Sequence, residues 1–98
     1  MRFSTYINNA KCLEWKLNAN QGALLDYLIS SSNFGLMAIN YQSICDQLPL
    51  FYKKPDTVYR ALKTLIEKGL IINHRVSVQN KIEIISVSKK CMEWKDEQ

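Results

Sequence analysis

The segment LPLFYKKPDTVYRALKTLIEKGLI, Leu48–Ile71, decides the fold of this chain because it reads as a helix with both ends marked. Pro55 suits the first helical position, where its missing N–H is not needed, and Asp56 lies beside the positive end of the helix dipole. Gly69 suits the position after the last turn, and Lys68 places a cation near the terminal carbonyls. These signals predict one helix between the two marked ends.

The predicted helix, residues 55–68, has two faces of different chemistry. One face is apolar at helical spacing, with Val58, Ala61, Leu62, Leu65 and Ile66. The opposite face carries Asp56, Arg60, Lys63 and Glu67, flanked by Thr57 and Thr64. A helix that buries one face and offers Arg, Lys and Thr on the other suits insertion into a DNA groove. The alternative is a surface helix whose polar face contacts only water.

Length and composition indicate one globular domain over residues 1–98. Of the 98 residues, 47% are hydrophobic and 22% charged, which is typical of a soluble protein with a single core. No apolar run approaches the roughly 20 residues that span a bilayer, and MRFSTYINNAK lacks the apolar centre of a signal peptide. We therefore expect a cytoplasmic protein with no membrane contact.

The positive charge is concentrated in the second half of the chain. The net charge is +4 overall, but residues 1–50 carry three basic and three acidic side chains. Residues 53–90 carry nine basic side chains against three acidic ones, a net charge of +6. A positive field on one half of a small domain favours a polyanionic partner, although lysines also solubilise ordinary surfaces.

The three cysteines, Cys12, Cys45 and Cys91, predict no metal site. They are widely spaced, form no C-x-x-C pair and have only His74 as a possible histidine partner. We interpret them as buried or half-buried thiols in a reducing compartment. The chain also lacks a Gly-rich phosphate loop, a nucleophile elbow and paired carboxylates at helical spacing. We therefore expect no metal, no cofactor and no enzymatic activity.

The first third of the chain predicts an extension followed by a helix. Residues 1–17 form the extension, and its apolar residues alternate with other residues, which favours a short strand or an extended segment. The alternating residues are Leu13, Trp15 and Leu17. Asn18 can cap a helix over residues 18–32, with Gln21 completing a weak capping box.

A short strand and a second helix are predicted next. Leu36 to Ile39 is a short apolar run that suits a two- or three-residue strand. Asn40 can cap a helix over residues 40–48, which Pro49 ends. The side chains expected to face inward are Ile44, Cys45 and Leu48.

After Gly69 the apolar period changes from 3.6 to 2, which predicts a β-hairpin over residues 70–88. The apolar set of the first strand includes Leu70, Ile72, Val76 and Val78, with His74 among them as a half-buried residue. Gln79-Asn80 is a weak turn signal, and Ile82 to Val87 is the second strand. In the tail, residues 89–98, we expect a final helical turn with Trp94 packed on the domain or on a partner.

The order of elements is helix, short strand, helix, turn, helix and hairpin, which is the order of a winged helix-turn-helix of the α+β class. In this fold three helices precede a C-terminal hairpin wing, and the last helix enters the major groove. The candidates for base contact are Thr57 and Arg60. The candidates for phosphate contact are Lys53, Lys54, Tyr59 and Lys63, and those on the wing are Arg75, Gln79, Asn80 and Lys81. Tyr59 also suits the edge of the core, and we favour a helix-start role for Asp56.

The segment KPDTVYRALKTLIEKGLI closely resembles the recognition helix of winged-helix proteins. The match runs from T-V-Y-R, beginning at Thr57, through Leu62 and Leu65 to K-G-L-I, ending at Ile71. Together with CLEWKLNANQGALLDYLI, it makes residues 12–94 similar to N-terminal domains of phage and plasmid replication or regulatory proteins. Unlike the usual pattern, Lys53-Lys54 replaces the polar capping residue, which weakens the cap and adds positive charge.

The resemblance implies sequence-specific binding of double-stranded DNA in the control of transcription or replication in a phage or mobile element. It leaves open whether the chain is a whole protein or one domain of a longer one. A homodimer on a two-fold site is expected, with Trp15, Phe34 and Trp94 as candidates for the dimer contact. The alternative is a winged helix that docks protein, such as a phage protein that inhibits a host nucleic-acid machine.

Overall fold

A computed structural model describes residues 1–77 and 82–95 of the chain. The α-helices are α1 (Asn9–Glu14), α2 (Ala19–Ser32), α3 (Tyr41–Gln47) and α4 (Pro55–Glu67). The strands are β1 (Met37–Asn40), β2 (Ile71–Ser77) and β3 (Ile82–Val87), and a short 3-10 helix (Lys89–Glu93) follows them. The described part is therefore an α+β fold with helices packed on an antiparallel sheet.

The sheet has the strand order β1-β3-β2, so β3 is the central strand. Met37 and Ile39 of β1 pair with Ile85 and Glu83 of β3. The side chains of Ile39, Glu83 and Ile85 are buried, which shows that this face of the sheet lies on the core. The helix α4 packs against α2, α3 and β2.

Two asparagines begin helices as the sequence predicts. Asn18 and Gln21 form a complete capping box at α2, each side chain bonding the backbone N–H of the other. The Asn40 side chain accepts from the amides of Gln42 and Ser43 at 2.9 and 3.2 Å at the start of α3. Both helices therefore start where side-chain oxygens replace the missing backbone acceptors.

The prediction of a strand or extended segment within residues 1–17 is wrong at its second half, which forms the additional helix α1. Asn8 caps this helix by accepting from the Lys11 amide at 3.0 Å. Lys16 then takes a left-handed conformation with φ of 58° and ends the helical path. The alternation of apolar residues was misleading because Leu13 is 81% exposed, whereas Trp15 and Leu17 are buried.

The phase predicted for the first hairpin strand is also wrong. Ile71 is buried and Ile72 is 46% exposed, the reverse of the expected pattern, although Leu70 is buried as predicted. His74 is exposed rather than half-buried, and its Nε2 lies 2.7 Å from the Ser86 hydroxyl. Leu70 and Ile71 are both buried, so the alternation breaks at the start of β2, and the register shift between Asn73 and Arg75 comes later in the strand.

A buried carboxylate on α2 joins the two ends of the described chain. Asp26 has no exposed surface. It accepts from the Tyr6 amide at 3.0 Å and from Trp94 Nε1 at 3.1 Å. Arg2 and Lys95 place cationic nitrogens 3.1 and 3.8 Å from the same carboxylate.

The tail folds back on the domain, as one of the two sequence alternatives predicts. Trp94 is fully buried, with its ring stacked on Trp15 at 6.2 Å between centroids, and its carbonyl accepts from Asn8 Nδ2 at 2.7 Å. Trp15 is 6% exposed. The expectation that Trp15 and Trp94 are exposed dimer contacts is therefore wrong, whereas Phe34 is 42% exposed.

All three cysteines are free and buried, as the sequence predicts. Burial raises the pKa of Cys12 and Cys45, and it raises the pKa of the Cys91 thiol to about 11. The Cys91 Sγ also lies 3.4 Å from the Leu70 carbonyl, to which the thiol donates.

We expect Asp26→Asn to lower the free energy of unfolding by about 3 kcal/mol, because the substitution removes a buried charge that pairs with Arg2 and Lys95. It also replaces one carboxylate oxygen with an NH₂ group, which cannot accept the hydrogen bond from the Tyr6 amide or from Trp94 Nε1. Urea denaturation measures the loss. Asp46→Asn is the matched control, since Asp46 is exposed, and it should change stability by less than about 0.5 kcal/mol. Equal effects of the two substitutions would contradict a central role for Asp26.

We expect the free energy of unfolding to fall as the pH rises from about 9 to about 11. The folded state holds Cys91 as a thiol over this range, whereas the unfolded chain releases the proton near its ordinary pKa of 9.0. The contribution of Cys91 to the free energy of unfolding is thus fully present below the pKa of the unfolded thiol. It is lost as the pH rises to the pKa of the folded thiol. Urea denaturation across this range should show a smaller loss for Cys91→Ala than for the parent chain. Identical slopes for the two chains would contradict the assignment.

Candidate nucleic-acid interface

The helix α4 separates an apolar face from a polar one, as the sequence predicts. Val58, Ala61, Leu62 and Leu65 are buried, and Ile66 is half-buried. The predicted contact residues Lys53, Lys54, Thr57, Tyr59, Arg60 and Lys63 are all exposed. The helix therefore exposes the predicted contact side chains to solvent, because its other face is buried in the core.

The basic side chains of this surface are free of acidic partners in the described part of the chain. No described carboxylate lies within ion-pair distance of Lys53, Lys54, Arg60 or Lys63. By contrast, Lys11 is paired with Glu14 at 3.4 Å and with Glu93 at 3.0 Å. The positive charge near the start of α4 is thus available to an external anion.

The start of α4 has an unusual cap. Lys54 occupies the N-cap position, and its side chain makes no capping hydrogen bond. The Thr57 hydroxyl donates to the Lys54 carbonyl at 2.6 Å. Because its proton is used within the helix, Thr57 can meet a base through its free lone pairs or its methyl group.

Arg60 lies beside the first turn of α2, a neighbourhood that the sequence reasoning missed. The two helices line an open polar cleft of about 200 Å³, which includes Asn18, Asn20, Gln21, Tyr52, Thr57 and Thr64 along with Arg60. The Tyr52 hydroxyl donates to the Asn20 carbonyl and holds the two elements together. Asn20 is exposed in this cleft. No sequence spacing relates residues 20 and 60, since tertiary packing alone brings them together.

Tyr59 lies at the other edge of α4 and contacts α3. Its ring meets Tyr41 edge-on with centroids 5.9 Å apart, and it is 48% exposed. Burial raises the pKa of Tyr41, and the neighbouring Glu83 carboxyl group raises it further. Tyr59 is therefore both a packing residue and an accessible one, which matches the two alternatives left open by the sequence.

The hairpin residues predicted to contact DNA are largely beyond the described structure. Gln79, Asn80 and Lys81 lie outside the described residues. The backbone of Arg75 belongs to β2 and pairs with Ile84, but its side chain is outside the described part. Their expected role on the wing stays a prediction.

Two other findings concern general classes of site. No helix within residues 1–77 and 82–95 combines the length and apolar character needed to cross a membrane. In the same part of the chain, no group of three or more His, Cys, Asp or Glu side chains is placed to hold a metal ion.

Comparison with known proteins supports the fold alone. No model of a known protein family matches the chain, and no curated protein sequence matches it. The fold is similar to the crystal structure of the ST1889 protein from the thermoacidophilic archaeon Sulfolobus tokodaii, with a TM-score of 0.62 and 23% sequence identity. The similarity covers 85% of this chain and 73% of that chain.

Proposed function

We propose that this chain is a winged-helix protein that binds double-stranded DNA with sequence specificity. The observation that carries the proposal is the exposed face of α4, where Arg60 and Lys63 follow Lys53 and Lys54 without acidic partners among the described residues. A helix whose opposite face is buried can offer these groups to a groove without unfolding.

The arrangement of elements supports the winged-helix interpretation. The helices α3 and α4 are joined by residues 48–54 and pack on each other, as the two helices of a helix-turn-helix do. The β2–β3 hairpin follows α4 directly and is extended by β1. In the proposed fold α2, α3 and α4 are its three helices, α4 reads the groove, and the hairpin is the wing.

The proposed roles divide base contact from backbone contact. Thr57 and Arg60 contact base edges, with Arg60 suited to a bidentate pair with guanine. The backbone contacts come from Lys53, Lys54, Tyr59 and Lys63, with the wing residues Arg75, Gln79, Asn80 and Lys81 on the flanking duplex. Asp56 stabilises the helix start. The process served is transcription or replication control in a phage or mobile element, with a homodimer on a two-fold site.

A second candidate function is the docking of protein, and one surface favours it. Residues 1–5 and residues 47–51, at the end of α3 and after it, line an open cavity of about 340 Å³. Around it Met1, Phe3 and Leu50 are 71%, 97% and 87% exposed. Apolar groups grouped in this way are typical of a surface that contacts another protein.

Selection of bound duplexes from a random pool tests DNA binding and site symmetry together. The selected duplex is then titrated at several salt concentrations by fluorescence anisotropy. Neutralising roughly five phosphates should give a slope of about −4 to −5 in log affinity against log salt. Absence of any duplex binding at low salt would contradict DNA binding and favour the docking function.

We expect Arg60→Ala and Lys63→Ala to weaken DNA binding in different ways. Loss of a bidentate base contact should cost about 1–3 kcal/mol on the selected sequence and relax the preference at that position. Loss of a phosphate contact should weaken all sequences alike and reduce the salt slope by about 1. The measurement is competition between selected and scrambled duplexes. If both variants lost the same affinity on both duplexes, Arg60 would be only another phosphate contact.

We expect Lys54→Ser to stabilise the fold while weakening DNA binding. A serine at this N-cap can accept from the Asp56 amide, because Pro55 has no N–H and the Thr57 amide already donates to the Lys54 carbonyl, and this bond should add about 1 kcal/mol to the free energy of unfolding. Lys53→Ser is the matched control, because it removes the same charge one residue before the cap. Both variants should lose similar affinity for duplex DNA, but only Lys54→Ser should gain stability in urea denaturation. A gain of stability in both variants would show that charge repulsion, not capping, is the cause.

A further inference from the structure

A cavity lies between α4 and the β2–β3 hairpin. It has a volume of about 300 Å³, which is the lower end of the range for small-molecule sites. The lining residues are Tyr59, Leu62, Lys63 and Ile66 from α4 and Asn73 and Glu83 from the hairpin. Anything held there would contact both elements at once.

Glu83 is the buried polar group of this cavity. It is 6% exposed, and one carboxylate oxygen, Oε2, has no hydrogen-bond partner among the described residues. The Tyr41 hydroxyl is close enough to the same carboxyl group for Glu83 to help raise the pKa of Tyr41. A buried acceptor left without a donor costs about 1–3 kcal/mol, and a charged one costs more. Such a group is retained more readily where a donor from outside completes it.

The position of Glu83 follows from its place in the central strand. Its neighbours on the same face of β3 are Ile85 and Val87, which are buried in the core. The alternation of a strand therefore turns residue 83 inward as well. Glu83 pairs with Ile39 of β1 on one side and with Val76 of β2 on the other, so it lies within the sheet and not at an edge.

The walls of the cavity define the chemistry of an occupant. Leu62 is buried, Ile66 is half-buried and the Tyr59 ring is partly exposed, so the cavity offers apolar contact beside one acceptor. Lys63 is the cationic group at the rim. It is exposed and forms no ion pair with Glu83 within 4.0 Å. An anion would meet the Glu83 carboxylate, whereas a donor or a cation would satisfy it.

We propose that this cavity binds a small organic cation, a guanidinium or primary ammonium group on a short apolar chain, with the charged head on Glu83 and the chain against Leu62 and Ile66. Because the cavity joins α4 to the hairpin, occupancy fixes the position of one relative to the other. A ligand of this class therefore modulates the affinity for duplex DNA, and this last clause rests on the proposed function.

The site is tested on the full chain without DNA, with n-butylguanidinium as the probe. Amide shifts in a ¹H–¹⁵N spectrum should move at residues 59, 62, 66, 73 and 83, with a dissociation constant in the millimolar range expected for so small a ligand. The neutral n-butylurea, which has nearly the same shape, and the anion butyrate should each bind at least about tenfold more weakly. Equal binding of probe and n-butylurea, or no shift at these residues, would overturn the site.

Two variants locate the head and the chain of the probe. Glu83→Gln keeps the shape of the side chain but removes the charge, so it should fold normally and lose binding at least about tenfold. Ile66→Trp places bulk over the cavity from a half-buried position and should also abolish the shifts. Urea denaturation confirms that each variant is folded. Unchanged probe binding in a folded Glu83→Gln variant would overturn the assignment of the head to Glu83.

The regulatory clause has a separate readout. Anisotropy of the selected duplex is measured with saturating n-butylguanidinium and with n-butylurea at the same ionic strength. A change in affinity of at least about threefold with the cation alone, absent in Glu83→Gln, supports the coupling. Probe binding without a change in duplex affinity overturns the coupling and leaves the site. Probe binding by a protein that binds no duplex overturns the proposed function and leaves the site.

Discussion

The fold depends on the closure of both ends of the described chain around Asp26. Its carboxylate has no exposed surface. Without hydrogen-bond donors it would destabilise the fold by more than a surface ion pair stabilises one. The Tyr6 amide and the Trp94 indole supply those donors from opposite ends of the sequence, and the Arg2 guanidinium adds an ion pair at 3.1 Å. This closure covers one side of α2. The helix α2 also packs on α4, so this closure acts on an element that is in direct contact with the helix of the candidate interface.

The two buried carboxylates, Asp26 and Glu83, have different surroundings. Asp26 receives donors at both oxygens, as a group that holds a fold together should. Glu83 lies near the Tyr41 hydroxyl, but its Oε2 has no hydrogen-bond partner among the described residues. Because both are buried to a similar degree, burial alone does not explain the difference. The difference lies in what surrounds them: Asp26 is enclosed by chain ends, whereas Glu83 faces a cavity.

The features that the sequence predicted correctly are those decided by a few neighbouring residues. The bounds of α4 follow from Pro55 and Gly69, and β3 spans residues 82–87 as its isoleucine-rich run indicates. Where the prediction was wrong, a distant or non-periodic feature decided the outcome. The alternation around Trp15 resembled a strand, but Asn8 caps a helix there, and Trp15 is buried in the core at the C-cap of that helix. The phase of β2 was wrong because Leu70 and Ile71 are both buried at the start of the strand, and nothing in the local pattern marks that break in the alternation.

Only part of the candidate site could be predicted from the sequence. The exposure of Arg60 and Lys63 follows from helical period and could be predicted, because one amphipathic face implies the other. The cleft with Asn20 and the cavity with Glu83 arise from packing between elements far apart in sequence, so spacing gave no sign of either. Both border the same helix as the uncapped Lys54. A missing cap and an unsatisfied acceptor each cost stability without serving the fold, and such departures from local consistency gather where a protein binds something. Because both border α4, they support the proposal that this helix carries the binding surface, whereas the other two buried groups without a hydrogen-bond partner in the described chain, Arg2 Nη1 and Ser88 Oγ, belong to other elements.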